Sequence, residues 1–415
     1  MPDLDLFMRL LASFGDGPPA VDDNLCLNRR YKAAGCQICA AACPVEAITV
    51  FGPNIDLNED ACARCGLCLN VCPTQVFSSP RQLHNDKKLL DSAASYRTQP
   101  LELTCPVNPK LDRTAAPVDV VLQTGRCLAA LSLGELLDLA HTRDFDLWLN
   151  DSHCATCPLG KVLPAIHTTA AQANRLLEAW QVAPRLHLQT TSACIPVHTV
   201  DRVADQQPLY SRREFFTFLR RSAAQVVSDI ALDTLAPAAP DLSVVPPIDH
   251  AVLPLHRRRL VAALDRLGSP PTAPLSLDGL PWTDVHISRQ CTGCSLCARF
   301  CPTGAIRWAT EENPPAAGAD GSATNTTPPA VPFRLLFIAA DCIDCGICAA
   351  ACPEGAIELH DLLEPPQLIH RQSAPRHTGH LTPCVRCGTP TDTQVRDTCY
   401  ICQRVPANPA AQGSI

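Results

Sequence analysis

The sequence predicts two small α+β modules flanking a parallel α/β domain, with a short tail built on cysteine knuckles. Three observations predict it. Four runs of cysteine fall into two adjacent pairs, one early and one late in the 415-residue chain. Apolar strands alternate with helices between those pairs. Two Cys-x2-Cys pairs follow the second. The length accommodates several domains. We divide it into an N-terminal amphipathic segment (1–21), a first module (22–80), the α/β domain (100–200), a helical and Pro-rich connector (209–280), a second module (281–365) with an insertion (311–332), and the tail (377–405).

Three runs share the spacing Cys-x2-Cys-x2-Cys-x3-Cys-Pro: Cys62, Cys65, Cys68 and Cys72; Cys291, Cys294, Cys297 and Cys301; Cys342, Cys345, Cys348 and Cys352. The remaining run is a stretched copy, Cys26 followed by Cys36, Cys39 and Cys43. Such spacing lets three thiolates wrap one corner of an iron–sulfur cube while the fourth points to a neighbouring cluster. Two pairs of runs therefore imply two dicluster modules and four 4Fe–4S clusters. Structural zinc competes for any cysteine set, but zinc takes four ligands per site and does not require interleaved runs.

Composition agrees. The chain has 25 cysteines, an odd number, which fits metal ligation in a reducing compartment better than a secreted disulfide framework. Residues 1–20 lack the basic start and long apolar run of a secretory signal, so a cytoplasmic location is expected. Leu4, Phe7, Met8, Leu11 and Phe14 suggest a short amphipathic helix there. No stretch has the eighteen or so apolar residues of a membrane span, and a net charge of −7 gives nucleic-acid binding no electrostatic support. Ser211-Arg212-Arg213-Glu214 resembles an export signal, but it lies in mid-chain, and Ser211 with Glu214 reads as a capping box opening a helix over Arg212–Leu232.

The repeat resembles bacterial two-cluster ferredoxins, which implies α+β ferredoxin-like dicluster modules. The resemblance also implies the ligand sets. Cys26, Cys36 and Cys39 share a cluster with Cys72, and Cys62, Cys65 and Cys68 share one with Cys43. Cys291, Cys294 and Cys297 pair with Cys352, and Cys342, Cys345 and Cys348 with Cys301. Gly66, Gly293 and Gly346 sit beside ligands, where the backbone must turn tightly and offer amide hydrogens. Val45–Ile48, Thr303–Ile306 and Glu354–Ile357 match the turn and strand that cover the clusters in that family. The first module departs from the pattern: nine residues separate Cys26 from Cys36 where the family has two, and the extra loop Leu27–Gly35 is basic. Either the loop leaves Cys26 at ligand distance or that cluster is lost.

Between the modules the expected strands are Leu101–Thr104, Val118–Leu122, Asp146–Leu149 and Arg185–Gln189, with helices at Leu131–His141 and Ala170–Trp180. This alternation argues for a parallel sheet with crossovers. Cys105, Cys127, Cys154 and Cys157 follow strands, and strand ends of a parallel sheet share one ligand-binding edge. They make a fifth metal site, an iron–sulfur cluster of 2Fe–2S or 4Fe–4S type; buried free thiols are the alternative. Cys194 follows the fourth strand and is one thiol too many, a core residue or a redox-active one. Thr124–Cys127 and Asn150–Cys157 resemble the iron–sulfur delta subunits of methyl-viologen-reducing hydrogenases. That resemblance implies a 2Fe–2S cluster and electron transfer to heterodisulfide reductase.

Leu255–Leu267 reads as a helix, Ala236–Pro247 as a Pro/Ala-rich connector, and the Pro/Gly/Ser/Thr-rich segment 311–332 as a disordered insertion. In the tail, Cys384, Cys387, Cys399 and Cys402 suit tetrahedral zinc in a ribbon-like fold; a single iron or another cluster is the alternative. His377 and His380 are expected in solvent.

The function that follows is an iron–sulfur electron-transfer subunit. It would relay single electrons between a catalytic redox subunit (by resemblance a hydrogenase, a formate dehydrogenase or a heterodisulfide-reductase-like enzyme) and an acceptor. No Gly-x-Gly-x-x-Gly or P-loop motif is present, and no catalytic residue is assigned. The alternatives are a reductase with its own substrate site at the middle cysteines, and a cluster-based redox sensor or assembly factor. Modules this small hold little hydrophobic core, so their clusters should supply much of the folding free energy.

Overall fold

The computed structural model describes residues 17–108, 113–114, 116–189, 198–199, 201–204, 252–310 and 330–405. Most of the N-terminal amphipathic segment, Cys194, the Arg212–Leu232 helix, the 236–247 connector and residues 311–329 of the insertion lie outside the described residues.

The first module is two short antiparallel ladders. Strand β1 (Ala20–Val21) pairs with the returning chain at Phe77–Ser78, and the hairpin β2 (Ile48–Phe51) and β3 (Asn54–Leu57) pairs in register from Ile48–Leu57 to Phe51–Asn54. Naming Phe77–Ser78 β4, its Phe77 is fully buried beside Ile48 and Val76, and Leu69, Cys26, Cys39 and Cys72 complete this small core. A helix that sequence reading did not anticipate, α1 (Gln82–Ala94), leads into the middle domain.

The middle domain is a five-stranded parallel sheet. Its strands are β5 (Leu101–Thr104), β6 (Val120–Gln123), β7 (Leu147–Asn150), β8 (Leu186–Leu188) and β9 (Asp201–Ala204), in the order β9-β6-β5-β7-β8. The four expected strands stand within about two residues of their places. The edge strand β9 falls just beyond the expected boundary at 200, because it opens on the charged pair Asp201–Arg202 and has only two apolar residues, Val203–Ala204. Helix α2 (Leu133–His141) starts two residues later than expected because Ser132 caps it: the Glu135 N–H donates to Ser132 Oγ and the Glu135 carboxylate accepts from the Ser132 N–H. Helix α3 (Leu163–Ala179) starts seven residues earlier than expected, with Pro164 in the first turn, where proline is tolerated.

Helix α4 (Leu255–Arg266) packs across α2. A Cβ at Gly134 would lie 3.0 Å from Leu260 N and 3.1 Å from the Arg259 carbonyl carbon, so glycine sets the closeness of this crossing. The same corner holds a buried charge network. Arg126 donates to Asp86 and Glu135 at 2.5 Å each, and Arg259 of α4 donates to Asp86, tying α1, α2 and α4 together.

In the second module β10 (Asp284–Ile287) pairs with the strand at Ile357–His360, and β11 (Ile306–Thr310) forms a hairpin with β12 (Val331–Phe337). Strand β12 begins inside the expected insertion, at Val331. Counting Ile357–His360 as β13, the next strand, β14 (Ala374–Pro383), pairs along the other edge of β12, and β15 (Pro390–Thr391) follows it in a sheet ordered β11-β12-β14-β15. This corrects the division into a module ending at 365 and a separate tail from 377. The tail's first strand buries Leu381 against Phe333, completing an edge that β12 would otherwise leave open. His377, expected in solvent, is half-buried with its ring 5.7 Å from that of Phe333.

Gly134→Val should lower stability by about 1–3 kcal/mol, because a Cβ and two methyl groups enter a backbone contact. Denaturant unfolding followed by circular dichroism measures this; an unchanged midpoint would contradict the packing described here.

Candidate metal centres

Backbone conformation aims the thiols. In three of the runs both residues around the second cysteine are left-handed: Arg64 (φ 55°) and Gly66 (78°), Gly293 (72°) and Ser295 (61°), Asp344 (51°) and Gly346 (68°). Successive amides in such turns point inward and form anion-binding concavities. Gly293 also has no room for a side chain, since a Cβ would stand 2.7 Å from Leu381 and 2.8 Å from Phe333. Sequence reading found the glycines but missed a second device. The third residue after every Cys-Pro cysteine is left-handed too: Glu46 (φ 55°), Gln75 (59°), Gly304 (68°) and Gly355 (61°). The turn it makes sends the next N–H back onto sulfur, from Ala47 to Cys43 Sγ at 3.3 Å, Val76 to Cys72 Sγ at 3.4 Å and Ala356 to Cys352 Sγ at 3.2 Å. Glu46 and Gln75 carry no composition signal for this conformation, which most side chains avoid.

The thiols gather into four groups, each taking its last member from the other run. Burial pushes the Cys39 thiol up to about 12, with Cys72, Cys36 and Cys26 adding to the rise. Cys68 is raised by burial and then by Cys65, Cys62 and Cys43. Cys297 stands at about 12 through burial and its neighbours Cys291, Cys294 and Cys352. Cys348 is raised by burial, then by Cys342, Cys345 and Cys301. The stretched run keeps its place. Asn28, buried in the extra loop, donates from Nδ2 to the Cys36 carbonyl at 2.9 Å and accepts the Cys36 N–H on Oδ1 at 2.7 Å. This clamp returns Cys36 to Cys26, which is buried and lines the same small cavity as Cys36, Cys39 and Cys72.

The extra loop also joins the modules. Arg30 donates to the Cys301 carbonyl at 3.0 Å and Tyr31 to the Ala350 carbonyl at 3.0 Å. The rings of Tyr31 and Phe300 are 5.3 Å apart, and Leu27, Ala34, Cys36, Cys345, Ile347 and Ala351 share one apolar cluster with them. On its other side the first module meets the middle domain, where Gly66 abuts Ala130 and Asn70 Nδ2 donates to the Ala129 carbonyl at 3.2 Å.

Cys105, Cys127, Cys154 and Cys157 line a cavity of about 150 Å³ beyond the carboxyl ends of β5, β6 and β7. Burial pushes the Cys127 thiol well up, and Cys65 of the first module adds to it, ahead of Cys105 and Cys154. In the tail, Cys384, Cys387, Cys399 and Cys402 bring their sulfurs within 4.8 Å of one another, with Cys387 and Cys399 Sγ 3.6 Å apart. Among the described residues no other group of cysteines, histidines and carboxylates is so tight. Tetrahedral zinc with Zn–S near 2.3 Å needs sulfurs about 3.8 Å apart. The tail set has that scale; the module and middle sets are more open, as a multi-iron core requires. The Cys399 N–H donates to Cys384 Sγ at 3.2 Å and helps hold that thiol down to about 6.

Models of the 4Fe-4S dicluster domain match residues 34–76 and 288–357. The ferredoxin of Methanothermococcus thermolithotrophicus is 34% identical over 50 residues, 12% of this chain and 83% of that protein. The chain belongs to the 4Fe–4S dicluster ferredoxins. An uncharacterized ferredoxin of Methanocaldococcus jannaschii is 45% identical over 49 residues, 11% of this chain and 30% of its own length. The pyruvate synthase subunit PorD of Thermotoga maritima is 41% identical over 49 residues, 12% of this chain and 50% of its own. No solved structure matches the chain. The two ferredoxin modules are iron–sulfur electron-transfer domains. The first match opens at residue 34, after Cys26 and most of the extra loop, and neither reaches the middle domain. No helix among the described residues is long and apolar enough to cross a membrane.

Replacing Asn28 by Ala removes two buried hydrogen bonds, worth about 1–3 kcal/mol as an unpaired Cys36 backbone. We expect about four fewer irons per chain, with the second module's signal unchanged. Full iron content in Asn28→Ala would refute the clamp.

Proposed function

We propose that this ferredoxin is a linear electron relay within a larger oxidoreductase. One observation carries the reading: consecutive thiol groups share packed residues. The middle group meets the Cys43–Cys62–Cys65–Cys68 group across Gly66 and Ala130. That group shares a module with Cys26–Cys36–Cys39–Cys72. Across the extra loop, Cys36 meets Cys345 of the group completed by Cys301, Cys342 and Cys348. The last module group is Cys291–Cys294–Cys297–Cys352. The tail lies beside it, with the Asp392 N–H donating to the Thr292 carbonyl at 3.0 Å and Arg396 3.4 Å from Glu354.

The groups fit iron–sulfur clusters in number of thiols, softness and openness, and bound clusters supply reversible one-electron storage. The chain's own residues do the rest. Left-handed turns hold the sulfurs inward, buried walls exclude water, and Arg30 and Tyr31 fix the distance between modules. On this reading four 4Fe–4S clusters occupy the modules, a fifth iron–sulfur cluster the middle cavity, and zinc the tail. The zinc would brace β14 and β15 against the second module and take no part in electron transfer. The relay works in a reducing compartment, the cytoplasm, between a donor and an acceptor subunit. The delta-subunit resemblance of the middle domain and the naming of PorD as a pyruvate synthase subunit support an enzyme complex as its setting.

Oxygen-free preparations should hold roughly 18–20 irons and about one zinc per chain. Paramagnetic resonance of the fully reduced protein should show magnetically coupled neighbours, and an Arg30→Ala/Tyr31→Ala variant should lose the coupling between modules while keeping its iron. Isolated, uncoupled signals in the native protein would refute a relay.

A further inference from the structure

Arg257 lies on α4, outside both ferredoxin modules, and is 2% exposed. Its guanidinium carbon stands 4.5 Å over the Trp282 ring, and one terminal nitrogen donates to the Pro281 carbonyl. Its Nε and Nη1 have no hydrogen-bond partner and are shut off from solvent. A buried charge left so poorly satisfied costs several kcal/mol, so its surroundings must supply an acceptor. Arg257 shares a wall of the intermodule junction with Ile343, Asp344 and Cys345. Cys342 is partly buried, its thiol pushed up to about 12 by desolvation against the opposing pull of Arg257.

Asp341 and Asp344 pull on Arg257 from a distance, but neither takes a hydrogen bond from its Nε or Nη1. Asp341 is engaged by Arg371 through two bonds at 2.8 and 2.7 Å. Asp344 is exposed, its carboxyl pushed up by desolvation and by Asp361, against the pull of Arg257. By contrast Arg126, the buried guanidinium next to Cys127, is met by two carboxylates. Arg257 is a buried cation with two unspent donor atoms, and it lines the same cavity as Cys345.

We propose that Arg257 raises the reduction potential of the cluster held by Cys301, Cys342, Cys345 and Cys348. Adding one electron makes a ligated cluster one unit more negative. A fixed positive charge beside it favours that reduced form, and net charge near a cluster is a known lever on such potentials. The Cys301 group lies just past the extra loop, so the relay gains a resting place for the electron on the far side of the intermodule junction. The proposal rests on the cluster assignment above; the charge argument stands or falls separately.

The test is a redox titration of the anaerobic full-length protein, followed by paramagnetic resonance, with iron counted in each sample. Arg257→Gln should lower one midpoint so that, at fixed potential, its reduced-to-oxidised ratio falls about tenfold, equivalent to about 59 mV for one electron. Arg257→Lys, which keeps the charge, should restore most of that ratio. Unchanged midpoints in Arg257→Gln with full iron would overturn the proposal. Should Arg257→Gln lose about four irons, Arg257→Lys decides. Full iron and a native midpoint support the charge role; the same iron loss, or the midpoint of the glutamine variant's remaining clusters alone, makes Arg257 a packing residue and overturns it. A native count well below sixteen irons would refute the relay reading itself, whatever the variants do.

Discussion

Everything in the two modules depends on thiols crossing over. Each group of four takes three sulfurs from one run and the fourth from its partner, so neither run completes a site by itself. In three groups the fourth sulfur, of Cys43, Cys72 or Cys352, is also held by a local N–H, which a left-handed residue three positions after it directs back onto sulfur. Backbone held there against the usual preference of Glu46 and Gln75 costs about 1–3 kcal/mol per residue. Burial in turn pushes thiols such as Cys39, Cys68, Cys297 and Cys348 up, whereas ligation requires thiolate. Both costs are recovered when a cluster forms, which ties the stability of these small modules to their inorganic content.

The extra loop shows how one insertion can serve two ends. Inside its module, Asn28 ties the N–H and the carbonyl of Cys36 and so offsets the seven residues by which the loop exceeds the two of the family. Outside it, Arg30, Tyr31 and Leu27 seat on the second module beside Cys301, Cys345 and Ile347. The basic residues that marked this loop in the sequence divide their work. Arg29 stays in its own module, reaching Asn54 at 3.3 Å, and Arg30 crosses to the second. Helix α4 makes a similar double use of position. One face crosses α2 at Gly134, Arg259 enters the Asp86 network, and Arg257 turns toward the second module.

The tail contrasts with the modules in electrostatics as well as in size. Burial raises the module thiols of Cys39, Cys68, Cys297 and Cys348, whereas in the tail the Cys399 N–H helps lower Cys384 to about 6 and the neighbouring sulfurs push Cys402 up to about 12. The tail's docking through Asp392 and Thr292 places a compact brace directly over the loop that carries Cys291 and Cys294.

Cysteine spacing by itself marked the four runs and their two pairs, because ligands to one cube come from short turns, and the ferredoxin resemblance implied which thiol crosses between runs. Alternating apolar runs determined the parallel sheet, because strands buried on both faces have little freedom in composition. Long-range packing decided the remainder. Nothing local at Tyr31, Arg257 or Leu381 announces that each will rest on a distant element. The order of the groups depends on contacts between segments some 270 to 320 residues apart. Side-chain identity encodes local conformation and ligand chemistry. Which surfaces meet is settled only when the whole chain has buried its apolar faces, and that meeting turns separate thiol sites into a series.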